Sequence, residues 1–146
     1  MKAVALTRYL PIDDQQSLFD VELPVPTASG HDVLVQPAMR YGEPAIAHQL
    51  DALKAAGATR ILVLPLYPQY SGTTTASVGD AVGAWALRQR HVPELRYVQR
   101  YHDHPGYIAA LAASVQAHWQ AHGRAQHLVM SFHGVPERTL HLGDPY

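Results

Sequence analysis

Stretches with two different hydrophobic periods alternate along the chain after residue 36. The run Ile61–Leu64 is continuously aliphatic, which is typical of a strand covered on both faces in a parallel sheet. Leu95–Tyr101, in which apolar and polar residues are mixed, and the mainly apolar Leu128–Phe132 are two further predicted strands. The stretches between the runs repeat their apolar residues every three or four positions, as amphipathic helices do. The alternation predicts an α/β fold in which right-handed crossovers join the strands of one parallel sheet.

The first two predicted helices have recognisable ends. Pro44 suits the first turn of a helix because its missing N–H is not needed there, and Gly57 is a natural C-terminal stop. The second helix begins near Thr75 or Ala76. The first helix carries Ile46, Leu50 and Leu53 on one face, and the second is predicted to carry Val78, Val82 and Trp85 inward.

A third helix is predicted after the run that ends at Tyr101. Asp103 or His104 supplies its N-terminal cap, Pro105 lies in its first turn and Gly123 ends it. Its apolar stripe consists of Ile108, Leu111, Val115 and Trp119.

The first 36 residues follow a different pattern. They contain three extended candidates at Lys2–Tyr9, Ser17–Glu22 and Asp32–Gln36. The stretches MKAVALTRY and LFDVELPVP resemble the start of the medium-chain alcohol dehydrogenase and quinone reductase family. The glycine-rich turn by which such enzymes bind a dinucleotide is absent from the whole sequence, so a dehydrogenase remnant is a weak alternative.

Two domains are therefore predicted. Residues 1–36 form a short β-rich, oxidoreductase-like leader of fused or foreign origin, and residues 37–146 form a partial α/β domain. We expect few buried contacts between Met1–Pro26 and this α/β body. A divergent native start is the alternative to a foreign leader.

Composition excludes several classes of function. Apolar residues make up 47% of the chain and charged residues 16%, which fits a globular protein. A net charge of -1 leaves no basic surface for nucleic acid. The chain has no cysteine, so it cannot hold a disulfide or a thiolate-bound iron–sulfur cluster. Neither a bilayer-spanning run nor a signal peptide is found, and we expect a cytoplasmic protein.

Polar clusters follow the predicted strands at four places. They are Arg40 with Tyr41, the loop 67–75, His102 with His104, and His133. Parallel strands have their carboxyl ends at one edge of the sheet, where open α/β sheets bind ligands. The pattern predicts that these clusters converge on one crevice, without identifying the ligand.

His133 is the strongest candidate for chemistry. It ends an apolar run and precedes Gly134 and Pro136, which predicts a sharp loop. A neutral imidazole can ligate a divalent transition metal and can accept a proton near neutral pH. The alternative is a histidine that only hydrogen-bonds its own loop.

His118 and His122 lie one helical turn apart and could share a zinc ion. The glutamate of a zinc-protease motif is absent, so a solvated helix face is the better interpretation. For His102 and His104, a capping role near Asp103 is favoured over metal binding.

Three segments in order resemble the ferrochelatase family. They are MRYGEP at 39–44, LPLYPQYSGTTT at 64–75, and SFHGVP with GDPY between 131 and 146. The resemblance covers about residues 37–146. It implies a partial Rossmann-like α/β domain of the chelatase kind, and an enzyme that inserts ferrous iron into a porphyrin at the end of haem synthesis.

The resemblance also implies roles for particular residues. His133 would lie at the porphyrin's centre, as a metal ligand or as a proton acceptor. Fe²⁺ would be a substrate, with no permanently bound cofactor, and the porphyrin would be protoporphyrin IX or coproporphyrin III. Arg40 would pair with a propionate. The other implied porphyrin-binding residues are Tyr41, Tyr67, Tyr70, Ser71, Thr73 and Thr74.

Ordinary structural roles remain open for these residues: a surface ion pair for Arg40, packing for the tyrosines and helix capping for the hydroxyls. The second chelatase domain and its partner glutamate are not recognisable in the sequence, so we expect little activity from these 146 residues alone. The alternative function is a non-catalytic porphyrin- or metal-binding module.

Overall fold

A computed structural model describes residues 2–6 and 33–146. The strands are β1 (Lys2–Leu6), β2 (Val35–Ala38), β3 (Arg60–Pro65) and β4 (Glu94–Tyr97). The helices are α1 (Ile46–Ala55), α2 (Thr75–Ala86), α3 (Pro105–His122) and α4 (Glu137–His141).

The described strands form one parallel sheet in the order β2-β1-β3-β4. β1 pairs with β2 on one side and β3 on the other, and β3 pairs with β4. Along β3, the side chains of Ile61, Val63 and Pro65 are buried. The predicted α/β fold with a parallel sheet is confirmed.

The hydrophobic core lies where α1 and α2 cover the sheet. The predicted apolar faces of both helices are confirmed, since Ile46, Leu50, Leu53, Val78, Val82 and Trp85 are all buried. Gly57 ends the first helix with a φ of 79°, a conformation that residues with a side chain rarely adopt. The Trp85 indole N–H donates to Asp51 at 2.8 Å and so joins the two helices at the edge of the core.

The predicted strand Leu128–Phe132 is not formed. This segment belongs to no sheet among the described residues, and Val129 and Phe132 are 86% and 75% exposed. A strand exists only when a neighbour accepts its backbone hydrogen bonds, and an apolar run does not reveal whether that neighbour is present. The prediction was wrong for this reason.

β4 is shorter than the predicted run Leu95–Tyr101. After Tyr97, the backbone N–H groups of Tyr101 and His102 donate to the carbonyl of Pro68, at 2.9 and 3.1 Å. These bonds take the chain out of the sheet and across the loop that follows β3.

The predicted third helix is formed, but its apolar stripe is not covered. His104 caps α3 by accepting the Gly106 N–H at 3.1 Å, and Pro105 is in the first turn, as expected. No residue of α3 is buried, and Ile108 and Leu111 are 51% and 47% exposed. The predicted apolar stripe is therefore present in the helix but is not part of the core of the described residues.

The start of the chain takes part in the sheet. β1 lies between β2 and β3, so the expectation of few contacts with the α/β body was wrong for residues 2–6. β2 also runs across the predicted boundary at residue 36. The candidate strand Ser17–Glu22 lies outside the described residues. A separate origin for residues 1–36 stays a prediction.

Candidate functional site

A cavity of about 430 Å³ opens beyond the carboxyl ends of β2 and β3. This volume is within the range of small-molecule sites. Its walls come from the loops after these two strands and from the segment after α3. The lining residues are Tyr41, Tyr67, Pro68, Gln69, Thr73, Thr74, His133, Gly134, Val135, Pro136 and Tyr146. Five of the residues selected from the sequence (Tyr41, Tyr67, Thr73, Thr74 and His133) thus face one cavity.

The loop between β3 and α2 is shaped by Ser71. Its carbonyl accepts the N–H groups of Thr74 and Ala76, at 3.1 and 3.2 Å, which turns the chain into α2. The Ser71 side chain is fully buried, and its hydroxyl lies 3.1 Å from that of Thr73. The turn leaves Thr73 and Thr74 at the cavity wall, while Ser71 supports them from behind.

Pro68, on the same wall, is fixed through its carbonyl. The two backbone N–H groups that it accepts belong to Tyr101 and His102. The ring of Tyr101 meets that of Tyr107 edge to face, with 5.4 Å between centroids. Burial, with a smaller contribution from Tyr107, raises the pKa of Tyr101 to about 12, so this phenol stays neutral under ordinary conditions.

The opposite wall is the segment 133–146, which is tied to the β3–α2 loop by Asp144. One carboxylate oxygen of Asp144 accepts the Ser71 hydroxyl at 2.9 Å and the Gly72 N–H at 2.7 Å. The other oxygen accepts the Tyr146 N–H at 3.1 Å. These donors, led by the Gly72 N–H, lower the pKa of the Asp144 carboxyl below its ordinary value, so the group is charged at neutral pH.

The imidazole of His133 is oriented by its own loop. Its Nδ1 lies 2.7 Å from the carbonyl oxygen of Gly134. A carbonyl can only accept, so we assign the proton of the neutral ring to Nδ1. Nε2 then carries the lone pair, which can bind a metal ion or take up a proton. The side chain is exposed, so this nitrogen is open to a ligand.

Three of the selected residues do not line the cavity. Arg40 is half-buried and donates through Nε to the Ser77 carbonyl of α2 at 2.7 Å. Its guanidinium carbon lies 4.6 Å from the centre of the Tyr41 ring, so Arg40 supports a lining residue. Tyr70 is half-buried and Ser71 is fully buried, both outside the cavity lining.

Three other histidines considered from the sequence lie outside the cavity lining. His104 caps α3, as favoured from the sequence, and the rings of His118 and His122 stack with centroids 4.4 Å apart on an exposed face. In the part of the chain that the structure describes, no three His, Cys, Asp or Glu residues are grouped closely enough to hold a metal ion.

Sequence reasoning gave no role to the residues that complete the second wall. Tyr146 lines the cavity and donates its hydroxyl to the His133 carbonyl at 2.7 Å, and Asp144 ties this wall to the first. The Gly-Asp-Pro-Tyr stretch at 143–146 was the available signal. Nothing in its spacing indicates that the aspartate reaches a serine 73 positions earlier.

Fold and site together define a Rossmann-like α/β domain with a small-molecule cavity, lined by tyrosines and one histidine, at the carboxyl edge of its sheet. More specifically, the chain belongs to the ferrochelatase family, whose profile matches residues 13–146. The match begins inside the predicted leader and so extends beyond the expected range of 37–146.

Curated relatives support this membership. The chain is 71% identical over 117 residues to a ferrochelatase of Methylibium petroleiphilum, covering 80% of this chain and 32% of the relative. It is 69% identical over 119 residues to a ferrochelatase of Polaromonas, covering 82% and 32%. The chain thus spans about a third of the length of these relatives. Within residues 2–6 and 33–146, no helix is both long and apolar enough to cross a membrane.

Proposed function

We propose that this cavity is part of the site at which a ferrochelatase inserts ferrous iron into a porphyrin. The observation that carries the proposal is His133: its Nε2 is available, and three tyrosines and two threonines line the same cavity. The reaction exchanges one Fe²⁺ for the two protons of the pyrrole N–H groups, so it needs a group that handles a metal or a proton beside a flat apolar ring.

His133 suits either half of this exchange. Its Nε2 lone pair can hold the incoming Fe²⁺ or accept one pyrrole proton. Fe²⁺ is a substrate here and not a resident cofactor. Both roles need the neutral imidazole, and the hydrogen bond from Nδ1 to Gly134 keeps the tautomer that both roles require.

The tyrosines are proposed to hold the macrocycle. Tyr41, Tyr67 and Tyr146 present flat faces with a polar end, which suits a ring that is apolar at its centre and charged at its propionates. Thr73 and Thr74 offer hydroxyls at the start of α2, where a negative charge is favoured. Tyr70 and Ser71 are proposed to act from behind this wall.

Arg40 is proposed to act in two ways. Its Nε is bonded to α2 and its plane lies over Tyr41, so it fixes a lining ring. Pairing of its guanidinium with a propionate, as the family resemblance implies, is the second role.

The identity of the porphyrin and the location of the protein also belong to this proposal. Protoporphyrin IX and coproporphyrin III differ in their number of carboxylates, so titration with each, with and without Arg40→Ala, identifies the preferred one. The cytoplasmic location predicted from the sequence is tested by fractionation of cells that express the protein.

The test of function is a replacement experiment. The matching segment of the Methylibium petroleiphilum ferrochelatase is exchanged for this chain's, which is feasible at 71% identity. We expect the hybrid to convert porphyrin to its iron complex anaerobically, as followed by visible absorption. Porphyrin binding without iron insertion would instead favour the alternative of a non-catalytic binding module, and absence of both would refute the proposal if the hybrid is folded.

A further inference from the structure

The two walls of the cavity are joined by a set of hydrogen bonds that converge on one carboxylate. The Asp144 clamp, as we name it, consists of residues 71, 72, 144 and 146. Asp144 accepts from Ser71 and Gly72 on the first wall and from the Tyr146 N–H on the second. The bonds to Ser71 and Gly72 cross more than 70 positions of sequence, so they fix the tertiary arrangement and do not merely shape a turn.

The clamp continues to His133. Tyr146, whose N–H is held by Asp144, donates its hydroxyl to the backbone carbonyl of His133 at 2.7 Å. A path of hydrogen bonds therefore runs from the β3–α2 loop through Asp144 and Tyr146 to the backbone of the histidine. Moving either wall changes the position of Nε2 relative to Thr73 and Thr74.

Local structure presents Asp144 for this task. Gly143 has a φ of 93°, and the Asp144 N–H donates to the Thr139 carbonyl at 2.9 Å at the end of α4. The backbone turn thus places the Asp144 carboxylate beside Ser71 and Gly72. The two carboxylate oxygens of Asp144 accept three hydrogen bonds. An asparagine at this position would replace one of these oxygens by an NH₂ group, which would face a donor and could not accept from it.

We propose that Asp144 is a positioning residue for the reaction at His133, holding the two walls at the separation that a porphyrin between them requires. The inference rests on the proposed function, because it assigns a purpose to the geometry of that same cavity. Asp144 does not line the cavity and acts through Tyr146 and the β3–α2 loop. A misplacement of a reacting group by about 1 Å can lower the rate on the order of a hundredfold.

The test compares Asp144→Asn with Asp80→Asn, which removes the same charge from an exposed position on α2. In nuclear magnetic resonance spectra of this chain, we expect Asp144→Asn to shift both the Gly72 amide proton and the ring protons of His133, and Asp80→Asn to shift neither. In the hybrid ferrochelatase, Asp144→Asn should lower kcat about tenfold or more and raise KM much less.

Different outcomes separate the two levels of the proposal. A shift at Gly72 with no change at His133 and no change in kcat would overturn the positioning role and leave a structural tie. Shifts at both positions, together with a folded hybrid that neither binds porphyrin nor inserts iron, would support the clamp and refute the proposed function. Ser71→Ala removes one hydrogen-bond donor and keeps the charge of Asp144, so it provides a milder variant if Asp144→Asn fails to fold. If the Ser71→Ala variant leaves both the His133 signals and kcat unchanged, that result counts against the proposal.

Discussion

At the scale of single residues, the site is a set of short hydrogen bonds that hold exposed groups in place. The 2.7 Å hydrogen bond between Nδ1 of His133 and the Gly134 carbonyl leaves Nε2 available. The hydroxyl of Tyr146 donates to the His133 carbonyl, and this bond orients the Tyr146 ring. Neither bond is buried, so each contributes to the orientation of a group more than to the stability of the fold.

The first prediction concerns the pH range in which the cavity keeps its second wall. The pKa of Asp144 is lowered from 3.8, chiefly by the Gly72 N–H, so the folded state favours the charged carboxylate. The stabilisation is complete above that ordinary value and is lost as the pH falls through the lowered one. We expect the Gly72 amide shift to stay constant from neutral pH to about pH 4 and then to move. A transition at neutral pH would contradict this assignment.

The sequence brought together residues that share one cavity where a residue's chemistry decided the choice, and their roles stay a prediction. His133, Tyr41 and Tyr67 were selected because of their side chains and the strands they follow, and all three line the cavity. Arg40 was selected by the same logic but contacts α2, because a long side chain can reach several acceptors that spacing does not distinguish.

At the scale of elements, α1, α2 and β3 make the platform on which the site is built. Their apolar positions are buried at the spacing expected of a helix or of a parallel strand. The strength of that periodicity is why these elements were predictable. Leu128–Phe132 and the stripe of α3 carry equally clear patterns, yet none of their residues is buried, and only tertiary structure reveals whether a pattern finds its partner.

The second prediction tests this platform. Leu50 of α1 is fully buried in the core, so Leu50→Ala removes packed atoms and leaves a cavity. We expect a loss of about 2–5 kcal/mol in the free energy of unfolding, measured by urea denaturation. Leu87, just after α2, is 90% exposed and provides the matched control. Leu87→Ala should change that free energy by less than about 0.5 kcal/mol; equal losses in the two variants would show that the core is misplaced.

At the scale of the whole molecule, the sheet depends on the first strand of the chain. β1 lies between β2 and β3, so without it these two strands have no direct pairing. This arrangement was not predicted because the opening residues resemble another family, and local pattern does not reveal which strand becomes central.

The third prediction follows from that topology. Val4 lies at the centre of β1, in register with Gln36 on one side and Val63 on the other. Val4→Pro removes a backbone N–H from the ladder, so we expect cooperative thermal unfolding, followed by circular dichroism, to be lost. Val4→Thr keeps the N–H and a β-branched side chain and should unfold cooperatively. An unaffected Val4→Pro protein would show that β1 is dispensable.

The central claim is that iron enters the porphyrin beside His133, and the most direct measurement is the rate of anaerobic iron insertion by the hybrid ferrochelatase with and without His133→Ala. We predict a loss of at least about a hundredfold in kcat, the contribution expected of a proton-transferring or metal-binding group, with porphyrin affinity nearly unchanged. His127→Ala, at an exposed histidine after α3, should insert iron at the unmodified rate. Unimpaired insertion by His133→Ala would contradict the claim.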